Sequence, residues 1–491
     1  MIERLKLNPV LCAAVGAAIG FYFLGASSQR AGLLFAVLLA LVSAICFLRV
    51  LSSLDLQSRS LRLAAAYSIA FSAGIVLGVS ASAQIQGVHF GVPPGTVTAV
   101  KGQLLDDPRG VSGGRAMAAL SLAEAAGAAG ARAGAAGELT VFFPQGGAPS
   151  LREFGRGTVV FAEGVLRESG AGGGVVFFAE SLYIVTPASS LQAFRTGIRL
   201  NLTSRFEGFA WGGLALALLI GIRDNLDSSL TASFREAGVS YLLALSGMHL
   251  AVIISIISFL LKKPLGVKAA AITGAAIIGL YCFVVGPMPS LDRSALMYLL
   301  GVFVILGALP KEPLSILGMA FMIQIAISPA SGHSIAFTLS YLALLGILIV
   351  GDALGGLLAG KMPVFLCRSL AASVGAFLAT AGITAHFFGV LRPVGVIVSI
   401  VLVPLITFFM VGALVWLALS FVSPFLSGLL DLPLFLLFRL MESCVYVGSA
   451  SPGIAVSGYA LALAVSLGFS FLIVWLGFRR QKSANRLLRF G

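Results

Sequence analysis

The sequence predicts a polytopic α-helical membrane protein with a small β-barrel domain inserted outside the membrane. Three observations carry this reading. Of 491 residues, 58% are hydrophobic and 10% charged, with a mean hydropathy of +1.03, far from the balance of a soluble globular chain. Apolar runs close to the ~20 residues that a helix needs to cross hydrocarbon recur from residue 9 to residue 477. Residues 95–190 break that pattern with short Val-, Phe- and Thr-rich runs set between Gly and Pro.

The first 94 residues hold three apolar spans, near 8–26, 32–50 and 63–81. The start resembles a cleaved leader, but two more spans follow at once, so the first helix is expected to be retained. Basic flanks, "MIERLK" and "RVLSSLDLQSRSLR", place the N-terminus in the cytoplasm. The net charge of +13 follows from Lys and Arg held in cytoplasmic loops. The five cysteines (Cys12, Cys46, Cys282, Cys367, Cys444) lie in or beside apolar runs with no CxxC spacing, which argues against a cysteine metal site.

Residues 95–190 read as an extracytoplasmic β-domain of OB-like type, from "GTVTAVKGQLL", "GELTVFFPQ", "GTVVFAEGVLRES" and "GGVVFFAESLYIV". The Ala/Gly-rich segment "AALSLAEAAGAAGARAGAAGEL" is expected to be a mobile loop. Arg152, Arg156, Phe142 and Phe143 are candidates for contact with a single strand, because such folds use basic grooves and stacked aromatics. Between 95 and 187, seven Lys/Arg face eight Asp/Glu, so the domain is no electrostatic funnel. Its aromatics read more readily as β-core.

From 191 to 478 the chain returns to the membrane, with apolar segments near 208–222, 241–261, 267–286 and onward to 457–477. Residues 223–239 are too polar to cross and suggest an interfacial helix. The basic tail, 479–491, is expected in the cytoplasm.

The stretch "SYLLALSGMHLAVIIS" (240–255) places Ser246, Gly247 and His249 inside an apolar run. Three readings stand. The small Ser-Gly pair admits a close helix neighbour; the break borders a water-filled path; or Ser246 is a nucleophile with His249 as its base. In "VVGPMPSLDRSALMYLL" (284–300), Asp292 suits a helix N-terminus. Arg293 either snorkels to headgroups or offers a fixed charge to an anion in a pore. Ser340 sits within a later span. The histidines (His89, His249, His333, His386) lack metal-ligand spacing, and there is no P-loop or GxGxxG, so no cofactor or motor site is expected.

Taken together, "GIRDNLDSSLTASFREAGVSYLLALSGMHLAVI" resembles the central signature of the ComEC competence-protein family. Gly238, Ser240, Ser246, Gly247 and His249 match, and Tyr241 stands where the family has histidine. "PMPSLDRSALM" matches at Pro289, Ser290, Arg293 and Met297. "FTLSYLA" matches at Phe337 and Ser340. "SIVLVP" keeps Pro404, with Ser399 in an asparagine position. The chain stops at Gly491, without the metallo-β-lactamase-like domain that many members carry.

The resemblance implies a non-enzymatic channel in the bacterial inner membrane that passes single-stranded transforming DNA. Asp224, Ser240, Ser246, Gly247, His249, Ser290, Arg293 and Ser340 would border its path. It also implies an external DNA receptor, a cytosolic helicase-like motor and a separate nuclease as partners. Two alternatives remain: a secondary transporter of a solute or lipid precursor, and an intramembrane serine hydrolase using Ser246 and His249.

Overall fold

The computed structural model describes residues 9–24, 59–83, 88–111, 115–127, 131–144, 155–168, 175–309, 312–456 and 463–477. The expected span at 32–50, Arg152 and the basic tail lie outside them. The chain divides into two units. One comprises Met1–Gln84, Ser228–Ile278 and Met288–Gly491; the other comprises Ile85–Asp227 and Gly279–Pro287.

Among the described residues, seven helical segments are long and apolar enough to cross a membrane: Ala66–Ala83, Ser240–Val285, Pro289–Leu306, Ile335–Leu358, Val364–Phe388, Val394–Ser420 and Pro424–Ser449. Shorter apolar helices cover Pro9–Tyr22, Pro313–Ile327 and Leu463–Gly477. The apolar segment near 208–222 holds a nine-residue helix, Gly212–Ile220. At 1.5 Å per residue it is about 14 Å long, too short to cross. Gly221, in the left-handed region at φ 73°, ends it.

Helices Pro9–Ile19 and Arg59–Ala83 pack backbone to backbone. Gly16 and Gly20 lie against the carbonyls of Phe71 and Ile75, and Gly74 and Gly78 against those of Ala13 and Ala17. A glycine every fourth residue on both helices removes the Cβ atoms that would hold them apart. Replacing Gly74 with Leu should therefore cost at least about 2 kcal/mol of overpacking. Thermal unfolding in detergent should show the loss, while Ala73→Leu, on the exposed side of the same helix, should leave the melting point unchanged.

The run Gly247–Val285 is two helical legs joined at Pro264 and Gly266, where φ is 77°. Proline removes an in-helix donor and glycine accepts the reversed φ, so the chain turns back. A Cβ on Gly274 would lie 3.7 Å from Ile257 of the first leg and closer still to the Tyr298 hydroxyl. Tyr298 donates to the Ala271 carbonyl at 3.3 Å. The legs correspond to the spans expected at 241–261 and 267–286.

The second unit is built on strands β1 (His89–Phe90), β2 (Val97–Leu104), β3 (Arg109–Val111), β4 (Arg115–Gly127), β5 (Arg132–Ala136), β6 (Glu138–Pro144), β7 (Val159–Glu168) and β8 (Val175–Thr186). β2 pairs antiparallel with β4 and β7, β7 with β8, and β4 with β6, while β6 and β8 run parallel. Val100, Leu120, Leu139, Val160 and Phe177 meet in its core. In the Ala/Gly-rich segment expected as a mobile loop, the described residues form strands instead: β4, β5 and the start of β6. Along β4, Ala116, Ala118, Leu120 and Leu122 alternate inward, and small side chains suffice where the neighbouring strands supply the bulk.

Candidate functional site

The break in the apolar run is a helix cap. Gly238, at φ 72°, and a short 3₁₀ turn at Ser240–Leu242 bring the chain to Ser246. The Ser246 carbonyl accepts the first helical bond, from Leu250 N–H at 3.2 Å. His249, three residues on, turns its ring back: Nδ1 accepts the Ser246 backbone N–H at 3.2 Å and lies 2.9 Å from Ser246 Oγ. This is one half of a capping box, the bond from the N-cap backbone N–H to the side chain three residues on, with imidazole in the place of the usual carboxylate or amide. An Nδ1 that accepts must carry a lone pair, so the ring proton sits on Nε2. His249 is fully buried.

The second motif lies beside the first. Pro289 opens the helix Pro289–Leu306, where its missing N–H costs nothing, and Asp292 occupies the first turn. A Cβ on Gly247 would come within 2.9 Å of Ser294 Oγ and 3.5 Å of Arg293 Nη2. Glycine is thus what lets the cap lie against Ser294, beside the arginine. Ser294 Oγ donates to the Ser290 carbonyl at 2.8 Å.

Arg293 is only 6% exposed. Its guanidinium carbon lies 5.7 Å from the centre of the Tyr341 ring, and among the described residues its Nε has no hydrogen-bond partner. Among the described residues no carboxylate forms an ion pair with it. The Tyr341 hydroxyl donates to Gln324 Oε1 at 2.8 Å, and Gln324 Nε2 donates to the Pro289 carbonyl at 3.2 Å.

The other expected residues are placed as follows. Ser290 and Ser340 are half-buried, Ser340 outside the hydrogen-bonded chain just described. Ser240 is exposed on its 3₁₀ turn. Asp224 belongs to the second unit, where it accepts the Gly110 N–H at 3.0 Å; burial raises its carboxyl above the ordinary range. Tyr241 and Ser399, the two departures from the resemblance, meet at 2.6 Å. Because Ser399 Oγ already donates to the Gly395 carbonyl, Tyr241 is the donor of that bond.

In the β-unit, Phe143 is buried in the core and has no face to offer a base. Phe142 is half-buried and stacks on Phe178, with ring centres 5.1 Å apart. Arg156 contributes its backbone N–H to Asp107 Oδ1 at 3.0 Å. Among the described residues no group of three or more His, Cys, Asp or Glu could hold a metal.

Sequence reasoning passed over a buried node in the second unit. Asp107, in the loop after β2, receives a bidentate pair from Arg195, at 3.0 and 2.7 Å. Arg199 Nε lies 3.3 Å from the same carboxylate. The two arginines also donate to the carbonyls of Phe283, Val284 and Val285, satisfying helix-end acceptors. Burial alone would raise the Asp107 carboxyl. The hydrogen bond from Arg195 and the Arg199 charge outweigh it and hold the group below its ordinary value.

Apolar spans enclosing a buried, unneutralised arginine beside a capped helix break define a polytopic membrane protein with an internal polar site. The chain belongs to the Competence protein family, whose model matches residues 218–482. An uncharacterized protein from Aquifex aeolicus (strain VF5) is 30% identical over 232 residues, 47% of this chain and 53% of that protein. The chain thus spans about half the length of this curated relative. No solved structure matches.

Proposed function

We propose that the chain is an inner-membrane channel that passes single-stranded transforming DNA into the cytoplasm. The observation that carries this is Arg293: a buried cation held against a ring face rather than a carboxylate, in a family associated with competence. A phosphate backbone supplies the missing anion, one charge at a time. The step is transport and forms no covalent bond. Lys262, Lys263 and Lys268 flank the turn at Gly266; by the positive-inside rule that turn faces the cytoplasm. Both termini are then cytoplasmic.

We read the β-unit as OB-like and extracytoplasmic. The pairings β4–β2–β7–β8–β6, returned to β4 by the β4–β6 pair, support the OB-like reading, as does the parallel β6–β8 contact. An external DNA receptor, a cytosolic helicase-like motor and a separate nuclease complete the proposal.

The test is entry of labelled DNA into a DNase-resistant pool in a transformable host. A deletion strain should lose it and the wild-type gene should restore it. Equal uptake in the deletion strain would remove the channel reading and favour a solute transporter. The hydrolase alternative makes a separate demand. His249 Nδ1 already receives the Ser246 backbone N–H, and its role as a cap accounts for the pair. Ser246→Ala should leave membrane extracts with unchanged labelling by a serine-reactive probe; loss of a labelled band at this chain's mass would establish the hydrolase.

A further inference from the structure

We propose that Tyr341 and Gln324 are positioning residues that hold the Arg293 guanidinium ready for a phosphodiester. This inference rests on the channel reading above.

A four-membered circuit carries it. The Arg293 guanidinium faces the Tyr341 ring. The Tyr341 hydroxyl is fixed by Gln324, and the Gln324 amide is fixed by the Pro289 carbonyl. Pro289 lies one turn before Arg293 on the same helix, so the circuit closes on the element that bears the charge. Tyr341 and Gln324 are themselves buried. Phe321 and Phe337 pack on the Tyr341 ring, with centres 5.4 and 4.6 Å away, and fix its plane.

The chemistry of the partner matters. A carboxylate would satisfy a buried arginine by neutralising it. A ring face attracts the cation and leaves its charge in place. Among the described residues the Nε donor stays without an acceptor, and an unmet buried donor is retained where a visitor will meet it. Phosphodiesters suit this visit: each carries one negative charge and two acceptor oxygens that match a guanidinium fork. A permanent counter-ion would block the exchange from one phosphate to the next, and a free long side chain would have no fixed aim.

The test compares uptake of ordinary donor DNA with donor DNA carrying a stretch of uncharged methylphosphonate linkages in both strands. The readout is the ratio of the two rates in strains with equal membrane levels of each variant, so that a change in protein amount cancels. Wild type should be slowed several-fold by the uncharged stretch. Arg293→Ala should be slow on both substrates, with a ratio near one. Tyr341→Leu and Gln324→Leu should move the ratio toward that of Arg293→Ala. Wild-type ratios in Tyr341→Leu and Gln324→Leu, with Arg293→Ala shifted, would overturn the positioning role and leave the channel standing. A wild-type ratio in Arg293→Ala would overturn the phosphate contact and the positioning pair together.

Discussion

Arg293→Ala should reduce DNA entry by about 10–100-fold, the rate equivalent of the ~1.5–3 kcal/mol of one hydrogen bond to a charged group. The measurement is the DNase-resistant pool at equal membrane levels of wild type and variant. Arg293→Lys should restore only part of it. An ammonium keeps the charge but not the planar fork, and it stacks less well on Tyr341. Removing a buried, unpaired cation does not strand a partner, because no carboxylate is paired with it among the described residues. The variant should therefore fold at least as well as wild type, and lost uptake with normal stability is the outcome that separates function from folding. His249→Ala makes the contrasting case. It removes the acceptor for the Ser246 N–H, so uptake and stability should fall together.

The largest stability effect is expected at Asp107. Asp107→Asn leaves two guanidiniums, the buried Arg195 and the half-buried Arg199, without their carboxylate. Breaking such a pair from one side costs about 3–5 kcal/mol, readable as earlier melting of the β-unit in detergent or as faster proteolysis. The pH dependence has a definite sign. The Asp107 carboxyl titrates below its ordinary value in the folded state, so its contribution is full above the unfolded value of about 4. It is lost as pH falls through the lower folded value. Asp106 and Asp224 behave oppositely: burial raises them, and the penalty for charging them is relieved as pH falls through their raised values. The gap between wild type and Asp107→Asn should thus be widest near neutrality and narrow only in strong acid. A gap independent of pH would mean that the charge of Asp107 does not stabilise the unit.

How much could be foreseen depends on whether a signal is local. The spans announce themselves by apolar length, and Ser246, Gly247, His249 and Arg293 stand out because polar residues in hydrocarbon are costly. Their adjacency was not legible, since it depends on the turn at Gly266. Tyr341 and Gln324 are 17 positions apart, and Asp107 and Arg195 are 88 apart. No periodicity links such pairs; only the fold does. The glycines at 16, 20, 74 and 78 do carry a local signal, the fourfold spacing, and could have been paired from sequence. The Ala-rich strand misled for a different reason. Composition says low complexity, but the inward alternation of Ala116, Ala118, Leu120 and Leu122 is visible only once a strand period is imposed on it.

The turn at Pro264–Gly266 has a consequence of parity. Each leg of Gly247–Val285 is some 17–19 residues, about 25–29 Å, close to one crossing of the hydrocarbon core. Two crossings make an even number, so the chain returns at Met288 to the face of the membrane from which it left Ser246. Cap and arginine, 47 positions apart from Ser246 to Arg293, are brought to one side without any long loop. On the topology proposed above, with the lysine-flanked turn inside, that side would be the outer one. An incoming strand would then meet Arg293 at the start of its passage, and the protein would sort charged from uncharged polymers at the threshold rather than midway.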